Sequence, residues 1–440
     1  MTTLDDLRAG LAGAVLTAAD PEWDDARLFH SGIGEPEVIV RPAGVDDVRA
    51  AVAHAARAGL PVTVRGGGHS AWGSVPGGLT IDLGALRDIA VDGTRVRVGG
   101  GATWGEVAAA LAPRGLGISS GDTASVGVGG LTLGGGIGWM VRAWGLAADQ
   151  LVGAQLVTSA GDVVEVSDDS APELMWALRG GGGNFGVVTR FDFEAHRLPG
   201  VVWIELTLSG DARQTLRAMR DILRDAPREL TVTYMDVPPM DPSAPPGASL
   251  TACWLGDEQA ARQLLAPVLS LPGVTEMAFQ TVSYPEILGD MPPFDPERPA
   301  PGFVGGNSLM PELGDDTIDR LTAFREAQPA SVLFLRSLGG AYGDVASDAT
   351  AFAAREATWF VMAGAFEGPH VDDAERARVA ADWAAIAREG VGVYGNFLNS
   401  TDPALAATLY PATTMARLER VKRAWDPENV FRRNHNVRPA

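Results

Sequence analysis

Two glycine arrays and one histidine are the residues best placed to do chemistry. Arg65-Gly-Gly-Gly-His-Ser70 follows the apolar run Pro61-Val-Thr-Val64. Three consecutive glycines at a strand end can turn successive backbone N–H groups towards one point and form a nest for an anion such as a pyrophosphate. His69 stands inside that nest. The hexapeptide also fits a tight turn carrying a surface histidine. A second array, Gly127-Val-Gly-Gly-Leu-Thr-Leu-Gly-Gly-Gly-Ile-Gly138, lies about 60 residues further on and would then need an explanation of its own. Two arrays closing on one elongated ligand account for both, because glycine lets a backbone approach a ligand closely.

A third array, Gly181-Gly-Gly-Asn-Phe-Gly186, matches the dinucleotide fingerprint GxGxxG letter for letter. Its context is reversed. That fingerprint follows a strand and opens a helix, whereas here a helical pattern through Met175, Trp176 and Leu178 precedes the glycines and a strand follows them. This contradicts a nicotinamide-dependent dehydrogenase of the Rossmann type. His30, His54, His69, His196, His370 and His435 form no HxxxH or HxxEH pattern, so no metal site is expected. No GxSxG elbow occurs, and Cys253 lies in an apolar strand without a basic neighbour, which leaves nucleophilic hydrolysis unsupported. Tyr394 and Asn396 offer a phenol and an amide to a site, or ordinary polar contacts at a strand end. Trp104, Trp139 and Trp144 offer faces for a flat heterocycle, or core packing.

The elements that must position these residues read as follows. Asp46 caps a helix whose Val48, Ala51, Val52, Ala55, Ala56 and Leu60 share one face. Strands are expected at 61–64 and 79–83, with a hairpin around Asp92-Gly93. A short helix follows over 104–111, and no regular pattern survives from 115 to 139. A second hairpin spans 151–166, and Ser170 with Glu173 makes a capping box around Pro172. Beyond Pro199 glycine returns to ordinary density. Strands at 202–208, 230–235 and 249–254 alternate there with helices at 211–224 and 257–271, and a last helix falls at 415–424. The Pro-rich stretches 238–246 and 292–301 read as irregular loops, the second as a lid.

Composition bounds the class. The chain has 440 residues, 46% hydrophobic and 20% charged, enough to bury a large core and too apolar for a disordered chain. Fifty-five acidic against 35 basic side chains leave a net charge of −20, which excludes a nucleic-acid binder working through a broad basic face. One cysteine excludes a disulfide framework, a cysteine-built zinc site and an iron–sulfur cluster. The N-terminus lacks a basic n-region and an apolar h-region, and no run reaches the roughly 18 apolar residues of a membrane span, so a cytoplasmic protein with no membrane partner is expected. Glycine is the anomaly, at 54 residues, and 22 of them lie between Gly66 and Gly138.

Taken in order, the motifs resemble those of the berberine-bridge-enzyme-like FAD-linked oxidases of the vanillyl-alcohol oxidase superfamily. The motifs are Arg65 to Ser70, Val98-Gly-Gly-Gly-Ala-Thr-Trp104, Val126 to Trp139, Gly145-Leu-Ala-Ala-Asp149, Ala177 to Val188, Tyr394-Gly-Asn-Phe397 and Trp425 to Asn436. The resemblance covers nearly the whole chain. It implies an α+β, two-domain PCMH-type FAD-binding fold. Residues 1–200 would form the FAD-binding domain and 201–390 a substrate-binding domain of mostly antiparallel sheet backed by helices. A C-terminal segment, 391–440, would return to the first domain.

The resemblance also implies FAD as cofactor, bonded through His69 to the 8α-methyl of the isoalloxazine, which needs a neutral imidazole as nucleophile. Many members carry a cysteine three residues before the Val-Gly-x-Gly-Gly run, giving a second bond at flavin C6. Thr123 stands there, so a single link through His69 and no cysteinyl link are expected. The implied FAD contacts are Arg65, Gly66, Gly67, Gly68, His69, Ser70 and Gly73 from the first array. Gly121, Asp122, Thr123, Val126, Gly127, Gly130, Leu131, Gly134, Gly136, Gly138 and Trp139 come from the second, with Gly186, Val188, Tyr394, Asn396 and Asn434 from the later motifs. The family's C-terminal motif often reads Tyr-x-Asn-Tyr, and Phe397 takes the place of its second tyrosine. Gly339-Gly-Ala-Tyr342 and Arg355 align with family strands that face the flavin. Tyr394, Tyr342 and Asn396 are therefore the candidate catalytic residues, with the base left open. The implied reaction takes a hydride from a C–H bond next to O or N of a small molecule, with O2 as electron acceptor, in secondary metabolism. An inactive FAD- or nucleotide-binding scaffold of the same fold is the alternative.

Overall fold

The computed structural model describes residues 4–440 except 31, 75, 239–246, 292–293, 298–301, 368–371, 399, 401 and 403–404. Both Pro-rich loops, including the expected lid, thus fall largely outside the described residues.

Short apolar runs near the N-terminus pair in parallel because a helix crosses between them. Val38–Arg41, Leu79–Asp82 and Val62–Arg65 form a parallel set, and Ala14–Leu16 adds an antiparallel edge. The helix Val45–Ala58 covers this sheet with Val48, Ala51, Val52 and Ala55. Its N-cap is Gly44, so Asp46 sits inside the first turn and not at the cap.

The next segment alternates apolar with polar residues and forms an antiparallel sheet. Its strands run in the order Val163–Val166, Leu151–Val157, Val187–Glu194, Arg95–Gly99 and Ile89–Asp92. Both expected hairpins are present. Helix Trp104–Leu111 begins with a Thr103/Glu106 capping box. Helix Pro172–Leu178 has Ala171 at its N-cap and no side-chain cap. Ser170 does not cap it, because its hydroxyl bonds to the Glu165 carbonyl at 3.0 Å and accepts from the Ser167 amide at 3.0 Å. The glycine-rich stretch also contains a short helix, Val128–Leu133, where no regular element was expected.

The third sheet has seven antiparallel strands, in the order Val274–Val282, Val201–Leu208, Ala248–Trp254, Leu230–Asp236, Ser331–Ser337, Trp359–Phe366 and Phe303–Met310. Alternate residues such as Ile204, Leu250, Leu335 and Val361 pack under the helices Ala212–Asp225, Glu258–Leu269, Asp315–Ala327 and Asp373–Ala387. Asp211 and Asp257 cap the first two. The opposite face of the sheet turns towards the glycine-rich region. The architecture is α+β, with a mostly antiparallel helix-backed sheet as its second body.

The chain then returns. Helix Ala412–Trp425 sets Leu418 and Val421 into the core of the second sheet. Its Lys422 is fully buried and donates to Asp426 at 2.6 Å, the Asn184 carbonyl at 2.7 Å and the Phe431 carbonyl at 2.9 Å. Asp426 in turn accepts from the amides of Val430 and Phe431. Asn184 holds the tail from the other side, donating to the His435 carbonyl and accepting from the Val437 amide. The fingerprint-like Gly181–Gly186 stretch is thus part of a clamp on the C-terminal tail. Among the described residues no helix is long and apolar enough to cross a membrane.

Candidate active site

The two glycine arrays meet backbone to backbone. A Cβ at Gly67 would lie 2.2 Å from the Gly127 nitrogen, and one at Gly127 would lie 2.2 Å from the Gly67 nitrogen. Only glycine allows that approach. Gly68 then takes φ +75°, a left-handed turn that presents His69. The joined arrays floor a cavity of about 540 Å³.

Most of the residues marked out in the sequence line it. Arg65, Gly66, Gly67, Gly68, His69, Ser70 and Gly73 are on its wall, as are Gly121, Asp122, Thr123, Val126, Gly127, Gly130, Leu131 and Gly134. Gly186, Val188, Tyr394, Asn396 and Asn434 complete the set. Gly130 faces open space where a Cβ would stand, so its bareness serves the cavity and not packing.

Gly136, Gly138, Trp139 and Tyr342 are not among the lining residues. Gly138 is fixed by its neighbours, since a Cβ there would meet the Ser120 carbonyl. Trp139 packs edge-on against Trp203, under the Arg336 guanidinium. Tyr342 belongs to a short helix, Ala341–Asp344, not to a strand facing the cavity, and its buried hydroxyl donates to the Ala354 carbonyl at 2.6 Å. Arg355 pairs with Asp149 at 2.6 Å. Trp104 is core against Phe193, and Trp144 stacks on His196.

His69 is the chemically distinctive side chain. Its Nε2 meets Ser125 Oγ at 3.1 Å, and its ring lies on that of His30 with centroids 3.8 Å apart. Burial, and next the neighbouring His30, push its pKa down to about 4, so the imidazole is neutral at ordinary pH. Tyr394 closes the other end. Its hydroxyl oxygen accepts from the Ile137 amide at 3.1 Å and from Asn396 Nδ2 at 3.0 Å. Burial raises this phenol above its usual range, and those two donors together with the Gly136 amide work against the rise. Asp122 pairs with Arg336 at 2.8 Å, tying the glycine-rich loop to the seven-stranded sheet.

The wall also carries buried polar atoms without partners among the described residues: Trp72 Nε1, Arg433 Nη1, Asn434 Oδ1 and His435 Nδ1. Each such orphan costs about 1–3 kcal/mol, so four around one cavity mark a place where a ligand is to be met. A cation and an indole N–H, with an imidazole nitrogen and an amide oxygen as acceptors, beside a glycine cradle fit a dinucleotide with its pyrophosphate. The cation for that role is Arg433, because the Arg65 guanidinium is already engaged by Asp82 at 2.6 Å and by the carbonyls of Ala26 and Leu28. Sequence reasoning missed His30, Ser125, Trp72, Arg433 and His435. Of these, only Arg433 and His435 had a signal, as part of the polar tail.

Comparison with known proteins agrees with this geometry. An FAD binding domain model matches residues 36–167, and a berberine and berberine-like model matches residues 393–438. (R)-6-hydroxynicotine oxidase of Paenarthrobacter nicotinovorans is 29% identical over 98% of this chain and 97% of its own length. The crystal structure of 6-hydroxy-D-nicotine oxidase from Arthrobacter nicotinovorans superposes with a TM-score of 0.83 at 26% identity, covering 98% of this chain and 99% of that one. Xylooligosaccharide oxidase from Myceliophthora thermophila gives a TM-score of 0.86 at 25% identity, covering 99% of each chain. With the FAD-binding cradle at one end and the returning tail at the other, the chain carries an FAD binding domain and a berberine-like C-terminal domain on the PCMH-type fold, and over nearly its whole length it is similar to FAD-linked oxidoreductases.

Proposed function

We propose that this protein is an oxidase that removes a hydride from a C–H bond next to oxygen or nitrogen of a small molecule, with FAD held by a single bond from His69 and O2 as electron acceptor. Residues 1–200 and 391–440 hold the cofactor, 201–390 cover the substrate, and the reaction serves secondary metabolism. The observation that carries this reading is the convergence on one cavity of His69, both glycine arrays and the Tyr394–Asn396 pair. The relatives named above are oxidases of a nicotine derivative and of an oligosaccharide, which supports the same reaction class here.

Bound FAD supplies the two-electron acceptor that no side chain offers. The chain supplies position. Neutral His69, held at Nε2 by the Ser125 hydroxyl, would present Nδ1 as the attaching nitrogen. Tyr394 accepts two hydrogen bonds at its oxygen, and its own proton has no acceptor among the described residues. That hydroxyl orients the substrate's O or N by hydrogen bonding and so fixes which C–H faces the flavin, while the O–H or N–H proton lost with the hydride leaves to solvent and is taken up again as O2 becomes peroxide. Thr123 lines the cavity where a second link would need a thiol, and the lone Cys253 is buried in the seven-stranded sheet.

The test is oxygen consumption and peroxide release by the FAD-loaded protein over a panel of alcohols and amines. Peroxide formed in step with oxygen uptake supports the oxidase. Turnover only with an added dye would make the protein a dehydrogenase, and absence of any flavin reduction would support the inactive scaffold.

A further inference from the structure

Strand alternation decides what the substrate side of the cavity is made of. Leu333, Leu335, Val361 and Met310 point under the helices. Their neighbours Phe334, Phe360, Met362 and Leu309 therefore face the other way, and Leu309 and Met362 line the cavity. Phe397 closes against this surface, with its ring 5.1 Å from that of Phe360 and 5.6 Å from that of Tyr394. It still leaves 37% of its surface open, and Met291 on the same wall leaves 50%.

The polar groups on this face are already used. Asn307 gives Nδ2 to the carbonyls of Tyr394 and Phe397 and takes the Tyr394 amide on Oδ1, at 2.7–3.2 Å. Arg336 donates through Nε to Thr233 Oγ1 at 2.9 Å and through Nη2 to Asp122 at 2.8 Å, and its plane covers Trp139. Asp122 is the one carboxylate lining the cavity among the described residues, and Arg336 balances its charge.

We propose that this site takes an uncharged, carbon-rich ring compound that offers one oxygen or nitrogen to Tyr394, and not an oligosaccharide. A sugar chain brings several hydroxyls, and those laid on the sheet face would lose water without gaining a partner there, since Asn307 and Arg336 are already engaged. A flat ring gains from covering the exposed faces of Phe397, Met362 and Met291. A site that lacks hydroxyl-reading groups discriminates against hydroxylated ligands for that reason. The inference rests on the FAD reading above.

The experiment uses the FAD-loaded full-length protein, titrated with 2-naphthylmethanol and separately with cellobiose, following the perturbation of the visible flavin spectrum. The expected result is saturable perturbation by the naphthyl alcohol at concentrations at least tenfold below any response to cellobiose. Phe397→Asn is expected to weaken the naphthyl response about tenfold or more, and Phe397→Leu by less. A yellow protein that answers cellobiose at the lower concentration, answers neither probe, or is unchanged by Phe397→Asn overturns the substrate inference alone. A colourless protein that takes up no FAD overturns the cofactor reading and this inference with it.

Discussion

The His69 and His30 imidazoles lie face to face, with centroids 3.8 Å apart and planes 24° from parallel, while Ser125 Oγ meets His69 Nε2 at 3.1 Å. The stack and the hydrogen bond fix the plane of one ring that the sequence marked only by its glycine setting. The His30 amide also bonds to the Gly68 carbonyl at 2.8 Å, so the pair turns as a unit. His30→Ala is expected to slow flavin attachment on the order of tenfold through lost positioning, and His30→Phe, which keeps a flat partner, is expected to slow it less. A time course of in-gel flavin fluorescence after FAD is added to apoprotein measures both.

Attachment should depend on pH with a definite sign. A nucleophilic imidazole must be unprotonated, and His69 holds its proton only below about 4. The attachment rate is expected to be flat at neutral pH and to fall as pH approaches 4, where an ordinary histidine would already lose rate near 6.5. The same shift acts on stability. Between 4 and 6.5 the unfolded chain binds the proton and the folded one does not, so this contribution is complete above 6.5 and is lost as pH falls towards 4. Single-turnover attachment from pH 4.5 to 8 on folded apoprotein checks the first sign, and thermal melts over the same range check the second.

The buried Lys422–Asp426 pair should be a structural fault line. Both side chains are fully buried, and together they fix the turn that brings Arg433 and His435 to the cavity. Breaking one partner leaves an uncompensated buried charge, so Lys422→Met is expected to cost about 3–5 kcal/mol. Weaker FAD retention should accompany the lower melting temperature. Denaturant unfolding with and without FAD separates the two effects.

Tyr394→Phe removes the hydroxyl without disturbing the ring packing against Phe360 and Phe397. Turnover is expected to fall about a hundredfold, the usual cost of one oriented donor at a reacting centre. Steady-state oxygen uptake, normalised to flavin content, gives kcat and KM, and the loss should appear mainly in kcat.

The parts of this account that were legible in the sequence were the local ones. Glycine arrays, Asp211 and Asp257 as caps, the hairpin at Asp92-Gly93 and the reversal of context at Gly181–Gly186 are signals carried by neighbours in the chain. Ser170 failed as a cap because a competing local bond to the Glu165 carbonyl claimed its hydroxyl. The helix Val128–Leu133 was hidden because glycine propensity argues against it while tertiary contacts, such as Gly129 against Phe191, hold it. His30 could not be found because it lies far from the array it serves and belongs to no motif. Tyr342 was drawn in by alignment, yet its hydroxyl is buried against a carbonyl. The clamp of Asn184, Lys422 and Asp426 joins segments more than 230 residues apart, beyond any periodicity.

The central claim is that His69 holds FAD covalently and alone. Denaturing electrophoresis with in-gel flavin fluorescence, paired with intact mass, tests it on the wild type and on His69→Ala. One FAD mass on a fluorescent wild-type band, with a dark His69→Ala band, is the predicted result. A dark wild-type band with yellow flavin released on denaturation, or a His69→Ala band that stays fluorescent, would contradict it.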